Sequence, residues 1–254
     1  MTNSGMGHWI KKAWTTLASM LSPVKADCLL CKKVSELRLE QLGLCISCYQ
    51  KVPWIQEVLC PTCGRSERCW DCQRRQQTYF IRSRSAVRYD DAMKELLARY
   101  KYRRDERLKT VIGRMLVHAY HLSQLEQPKS GSDPAQKIIT FVPVSERRML
   151  ERGFNQADQM ATELGRRIGV PVIPLLNRSK HTDKQSIKKR NERLDDLEHV
   201  FEIDLSRLDI RCSTTALHIY LVDDVYTTGS TMNQCAKVLK AHFSAEVVGL
   251  TWAR

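Results

Sequence analysis

The sequence predicts an α/β protein, a mostly parallel sheet flanked by helices, preceded by a small cysteine-rich module. Three observations predict it. The β-branched run Ile219 to Val222 has the unbroken apolar character of a strand buried on both faces, and it leads into Asp223, Asp224 and a hydroxyl-rich loop before a helix. Upstream, the strand-like runs Arg84 to Tyr89 and Lys137 to Val142 alternate with helical apolar faces. At the front, eight of the ten cysteines fall between residues 28 and 72 as four CxxC pairs.

With 254 residues and 43% hydrophobic content the chain buries a substantial core, which excludes a disordered protein. The spacing of motifs gives an N-terminal segment 1–26, a cysteine module 27–78 and a main domain 79–254. The net charge of +13 favours polyanionic partners: nucleic acid, phosphorylated ligands or anionic lipid heads. In the first segment, Trp9, Ile10, Ala13, Trp14 and Leu17 mark one side of a short amphipathic helix, which packs on its own protein or meets a membrane surface. No run is long enough to span a bilayer and no signal-peptide core is present, so a cytoplasmic location is expected, with the inner face of the membrane as the place such a helix would reach.

The cysteine pairs are Cys28/Cys31, Cys45/Cys48, Cys60/Cys63 and Cys69/Cys72. Each CxxC turn places two thiolates on one metal ion, as zinc-ribbon knuckles do, and four thiolates close a tetrahedral site. Eight thiolates imply two Zn2+ ions, paired sequentially (28, 31, 45, 48 and 60, 63, 69, 72) or in an interleaved order. All-cysteine sites leave no open coordination position, so these ions hold the fold, and a module of this size needs such ties. Iron–sulfur ligation is the alternative chemistry for the same thiolates. Lys32, Lys33, Arg65, Arg68, Arg74 and Arg75 form either a nucleic-acid surface or a solvated basic face.

In the main domain, Met93, Leu96, Leu97 and Tyr100 trace a helix face ending in the basic cluster Lys101 to Arg104, read as a solvated helix junction with phosphate contact as the alternative. A second helix runs through Leu108, Ile112, Met115, Leu116 and Ala119. Residues 127–136 form a loop that releases the chain into the strand Lys137 to Val142. The stretch Pro143 to Arg148 reads as a loop, and Arg152-Gly153-Phe154-Asn155-Gln156 opens a helix whose face is Ala157, Met160, Ala161, Leu164 and Ile168. Arg152 is suited to hold an anion by its guanidinium fork, or is a surface arginine before an Asn-capped helix. A strand at Val170 to Pro174 precedes a polar, basic insertion at about 175–201, the kind of segment that serves as a lid or partner surface.

The last motif carries the most chemistry. Ligands of open α/β sheets bind beyond the carboxyl ends of the strands, where Asp223 and Asp224 sit. Two adjacent carboxylates can accept both hydroxyls of a vicinal diol, which favours a ribose. Thr227, Thr228, Gly229, Ser230 and Thr231 add hydroxyls, a permissive backbone position and the amide-rich start of a helix, which favours a 5′-phosphate. The helix then shows Met232, Cys235, Ala236, Leu239 and Phe243 on one face, making Cys235 a core residue.

This stretch resembles the ribose-phosphate motif of type I phosphoribosyltransferases, which bind phosphoribosyl pyrophosphate with Mg2+. The resemblance implies that Asp223 and Asp224 contact the ribose hydroxyls, that Thr227 to Thr231 hold the 5′-phosphate, and that the segment around Ser145, with Arg152, meets the diphosphate. Were the protein an enzyme, Asp223 and Asp224 would be its catalytic pair. Val142-Pro143-Val144 followed by Arg152-Gly153-Phe154-Asn155-Gln156, together with the four CxxC pairs, resembles the ComF family of bacterial competence proteins, a double zinc ribbon joined to a phosphoribosyltransferase-like domain. The insertion resembles that family's hood at Arg178, Thr182, Gln185 and Arg193 and departs from it at Lys188 and Asp196. The resemblance implies a role in uptake of single-stranded DNA during transformation, with single-stranded DNA and the uptake machinery, including a helicase-like ATPase, as partners. The alternative is a phosphoribosyltransferase of nucleotide synthesis or salvage; an amidophosphoribosyltransferase would need a glutamine amidohydrolase domain that this sequence lacks.

Overall fold

The computed structural model describes residues 24–103, 105, 107–125, 136–178, 200–204, 206 and 217–254. The amphipathic segment near the N-terminus and most of the insertion, including Thr182, Gln185, Lys188, Arg193 and Asp196, lie outside the described residues.

The chain divides into two compact units at Val52/Pro53. In the first, β1 (Val24–Asp27) and β2 (Val34–Leu37) pair antiparallel around the Cys28–Cys31 turn. That turn is closed by the Lys32 amide donating to the Cys28 carbonyl at 2.8 Å and the Cys28 amide donating to Lys33 at 2.9 Å. A 3-10 turn (Leu39–Gln41) leads to α1 (Ile46–Gln50), whose N-cap is Cys45, so the second CxxC pair sits at a helix start.

The second unit holds α2 (Trp70–Arg74), β3 (Arg82–Val87), α3 (Asp91–Tyr102), α4 (Arg107–Gln124), β4 (Gln136–Phe141), α5 (Glu146–Arg152), α6 (Gln156–Ile168), β5 (Leu176–Arg178), β6 (Phe201–Ile203), β7 (Leu217–Val225), α7 (Ser230–His242) and β8 (Ala245–Ala253). Its main sheet runs β3-β8-β7-β4 and every pairing is parallel. Central β7 is buried over its first six residues, as a strand covered on both faces must be. On one face Ile138, Ile219, Leu221, Met232, Ala236, Leu239 and Val247 form a core that includes the wholly buried Cys235, matching the helical spacing of α7. Helices α4 and α6 cover the sheet from elsewhere, with α4 against β3 and β8 and α6 against β4 and β7.

The unit boundary differs from the 78/79 division expected above, because Cys60 to Cys72 belongs with the sheet. The Ser83 amide donates to the Thr62 carbonyl at 2.7 Å and Arg84 Nη2 to the Pro61 carbonyl at 3.0 Å. Gly64, at φ 72°, comes so close that a Cβ there would lie 2.6 Å from the Ser83 carbonyl oxygen.

Three further differences from the sequence reading have physical causes. Val170 to Pro174 is no strand: only Val172 bridges Ile139, because Pro171 and Pro174 remove two of the donors a ladder needs. The Pro143 to Arg148 loop turns helical at Glu146, where the Ser145 hydroxyl caps α5. β8 forms the centre of the sheet although no motif pointed to it; its Val247, Val248, Leu250 and Trp252 are all buried. The insertion is closed at its base by an antiparallel ladder, β5 with β6. No helix among the described residues is long and apolar enough to cross a membrane.

Candidate functional site

Parallel pairing of β4 with β7, Phe141 opposite Val222, brings two carboxyl-terminal loops side by side. One is Val142 to Ser145 and the other begins at Asp223. The Val142 amide still donates to the Val222 carbonyl at 2.9 Å, so the two loops part only after these residues.

Asp223 and Asp224 lie at the carboxyl end of β7, and the Asp224 amide donates to Asp223 Oδ1 at 2.8 Å. Burial and then the neighbouring Asp224 charge push the Asp223 carboxyl up to about 7, although that amide, Lys101 and Arg148 pull the other way. Asp224 is paired with the Lys101 ammonium from the last turn of α3. Its charge also reaches the phenols of Tyr89 and Tyr100, both held above their ordinary range, first by burial and then by Asp224. Lys101, in sequence one charge of a basic helix junction, is thus a residue of the site. The available signal was its place one turn after Leu97 and two after Met93, on the buried stripe of α3.

Beyond the acid pair, Tyr226 is buried and Gly229 takes φ 78° as the N-cap of α7. A Cβ at Gly229 would lie 2.0 Å from Tyr226 Oη, so only glycine fits this turn. Thr228 Oγ1 and Ser230 Oγ are 2.9 Å apart and the Ser230 amide donates to Thr228 Oγ1 at 3.4 Å. Thr227 is exposed and Thr231 half-buried in the first turn of α7. The loop therefore gathers the hydroxyls of Thr227, Thr228, Ser230 and Thr231 and the first-turn amides of a 13-residue helix at one end of β7.

The structure distributes the other candidates unevenly. Ser145 lies at the end of the β4 loop, its hydroxyl accepting from the Arg148 amide at 3.4 Å as the cap of α5. Arg152 is buried, with Nη1 donating to Gln156 Oε1 at 2.7 Å and Nη2 to Tyr102 Oη at 3.1 Å. Its fork is thus engaged by protein, and to meet a phosphate it would have to exchange those partners. Asn155 caps α6 through the Ala157 amide at 3.0 Å while its Nδ2 donates to the Val142 carbonyl at 3.0 Å. Phe154 packs on Tyr100 with ring centroids 5.4 Å apart. The Arg152 to Gln156 motif is a clasp that ties α3, with Lys101, and the end of β4 to α6. Of the insertion residues expected near the site, Arg178 is described, its guanidinium 5.7 Å from the Phe201 ring at the base ladder.

The eight cysteines fall into two groups, Cys28, Cys31, Cys45, Cys48 and Cys60, Cys63, Cys69, Cys72, each with its sulfurs within 4.8 Å of one another. Pairing is sequential, one group in each unit. Cys31 and Cys45 sulfurs are 3.9 Å apart and those of Cys63 and Cys69 are 3.4 Å apart, close to the roughly 3.8 Å edge of a zinc–thiolate tetrahedron built from ~2.3 Å bonds. Burial opposes ionisation of Cys28, yet the amides of Cys31, Cys45 and Leu30 hold its thiol down at about 6. Each group can hold one structural zinc ion.

No protein-family model matches the chain. Competence protein ComFC of Bacillus subtilis is 34% identical over 206 residues, 77% of this chain and 77% of that protein. The chain belongs to the ComFC family of competence proteins. The DNA utilization protein YhgH of Escherichia coli is 26% identical over 230 residues, 87% of this ComFC-family chain and 93% of that protein. Among solved structures, a glutamine phosphoribosylpyrophosphate amidotransferase from Bacillus subtilis superposes with a TM-score of 0.33 at 15% identity, over 56% of this chain and 25% of that one.

Proposed function

We propose that this ComFC-family protein binds phosphoribosyl pyrophosphate with Mg2+ across the ends of β4 and β7, and that it serves uptake of single-stranded DNA in natural transformation. The observation that carries the ligand reading is the run of Asp223, Asp224 and the Gly229 loop at the end of a buried parallel strand, closed by a helix start. Asp223 and Asp224 accept the ribose hydroxyls, and Thr227, Thr228, Gly229, Ser230 and Thr231 receive the 5′-phosphate. Ser145 and Arg152 line the diphosphate side, and Lys101 and Arg148 add positive charge that acts on Asp223. Mg2+ bound with the ligand would offset the charge of the diphosphate.

Membership in a family whose relatives carry the names competence protein and DNA utilization protein supports the cellular role. The +13 charge agrees with a polyanionic partner, here single-stranded DNA handed on by an uptake machinery that includes a helicase-like ATPase at the inner face of the membrane. Calorimetric titration with phosphoribosyl pyrophosphate and Mg2+, on the wild type and on Asp223→Ala/Asp224→Ala, tests the site; undiminished binding by the double variant rejects it. A clean deletion that transforms at the parental frequency rejects the cellular role.

One observation favours a second reading. A carboxyl titrating near 7 at a ribose site is matched to general-base work, as a phosphoribosyltransferase acting on a nucleobase would use. Base-dependent release of pyrophosphate by the purified protein would favour turnover; its absence across the common nucleobases leaves a binding protein.

A further inference from the structure

Arg75 stands three residues after Cys72, just past α2, and reaches the loop at the far end of the unit's sequence. Its Nη1 donates to Tyr226 Oη at 3.2 Å and its Nη2 donates to the Thr228 carbonyl. These two acceptors flank the tightest point of the loop: a Cβ at Gly229 would lie 2.8 Å from Arg75 Nη2. The guanidinium also lies 5.6 Å from the Phe80 ring, which meets Tyr226 edge-on at 6.4 Å.

Other ties join the same two regions. The Tyr79 amide donates to Asn233 Oδ1 at 2.8 Å, and Asn233 Nδ2 donates to the Gln77 carbonyl at 3.0 Å, so the chain leaving the second cysteine group is fixed to the first turn of α7. Arg254 donates to the Cys63 carbonyl and stacks 4.8 Å from the Tyr226 ring. Cys60, Cys63 and Cys69 share one core with Tyr226 and Met232. A carbonyl at Thr228 turned toward a guanidinium is turned away from the anion side, which leaves the following amides to face a phosphate.

We propose that Arg75 is a positioning residue for the 5′-phosphate loop, and that through it the metal-binding state of the Cys60–Cys72 group and the affinity of the loop for a sugar phosphate are coupled. The inference rests on the ligand reading above, so its test separates the two. Binding of ribose 5-phosphate and of Mg2+–pyrophosphate is measured by calorimetry on the full chain, metal-loaded as purified, for the wild type, Arg75→Ala, Arg75→Lys and the exposed neighbour Arg74→Ala, with melting temperature recorded for each.

Arg75→Ala is expected to lose about 10-fold or more in ribose 5-phosphate affinity, the usual cost of removing a residue that orients direct ligands. Mg2+–pyrophosphate binding and the Arg74→Ala control stay at wild-type values. Should Arg75→Ala not fold, Arg75→Lys decides, since it keeps the charge but cannot bridge Tyr226 and Thr228 together. A Lys variant equal to wild type for both ligands, or weakened equally for both, overturns the positioning role. A wild type that binds neither ligand overturns the ligand reading instead.

Reciprocity supplies a second readout: ribose 5-phosphate slows metal release to a chromogenic chelator in the wild type and not in Arg75→Ala. Equal release with and without the sugar phosphate in the wild type overturns the coupling.

Discussion

Replacing Asp223 by asparagine separates the stability of this site from its function. The carboxyl titrates near 7 in the folded protein against an ordinary 3.8, because burial and the Asp224 charge resist its ionisation. The folded state therefore binds this proton more tightly than the unfolded chain, and stability falls as pH rises from about 4 through 7. At 1.36 kcal/mol per pH unit, the rise from 3.8 to about 7 corresponds to a ceiling of about 4 kcal/mol at pH 8. Lys101 and Arg148 share the field of the pair, so the expected gain for Asp223→Asn at pH 8 is about 1–4 kcal/mol. Asparagine keeps an Oδ1 to accept the Asp224 amide, so no hydrogen bond is sacrificed. Urea unfolding of both proteins at a series of pH values from 5 to 8 reads the difference directly, since metal loss at acid pH affects both alike. The variant should gain most at pH 8 and progressively less as pH falls toward 5, while losing phosphoribosyl pyrophosphate binding. A gap that is constant across this range, or a variant less stable at pH 8, refutes the electrostatic argument.

The other expectations concern the neighbours of that carboxyl. Lys101→Met strands the Asp224 carboxylate and should cost roughly 1–3 kcal/mol in thermal or urea unfolding, while moving the Asp223 titration, followed by carboxyl NMR, to still higher pH. Gly229→Ala forces a Cβ against Tyr226 Oη and should abolish ribose 5-phosphate binding while destabilising by roughly 2 kcal/mol or more; a variant that binds and melts like wild type would sink the loop assignment. Asn155→Ala removes the cap of α6 and its tie to the Val142 carbonyl, for about 1–2 kcal/mol of lost stability in the same assay.

Much of this architecture was legible because it depends on local pattern. The apolar run Ile219 to Val222 announces β7, the CxxC spacings announce two four-cysteine groups, whose sequential order the fold then shows, and the faces of α3, α4, α6 and α7 follow from helical spacing. What stayed hidden depends on tertiary placement. β8 carries no chemical motif, and only the fold shows that this apolar run lies between β3 and β7. Lys101 and Arg75 each read as one of several charges in a basic run, and only the fold shows that one meets Asp224 and the other the Thr228 carbonyl. Arg152 shows the same dependence: its type suits an anion, and only the fold shows that Gln156 and Tyr102 hold its fork.

The acid pair sets a condition on any ribose that enters. Asp224 is neutralised by Lys101, and Asp223 is about half protonated near pH 7, so the pair carries much less negative charge than two free carboxylates. A protonated carboxyl has one oxygen committed as a donor and fewer acceptor sites left, whereas a diol brings donors of its own, so the ionised form of Asp223 accepts the hydroxyls better. Below pH 7, binding of ribose 5-phosphate must then release a proton, up to one per site, and affinity must rise with pH until Asp223 is ionised in the free protein. Calorimetry at pH 6.5 in buffers of different ionisation enthalpy measures that proton. An observed heat independent of the buffer would mean that Asp223 accepts no hydroxyl as a carboxylate and that the sugar is held by other groups.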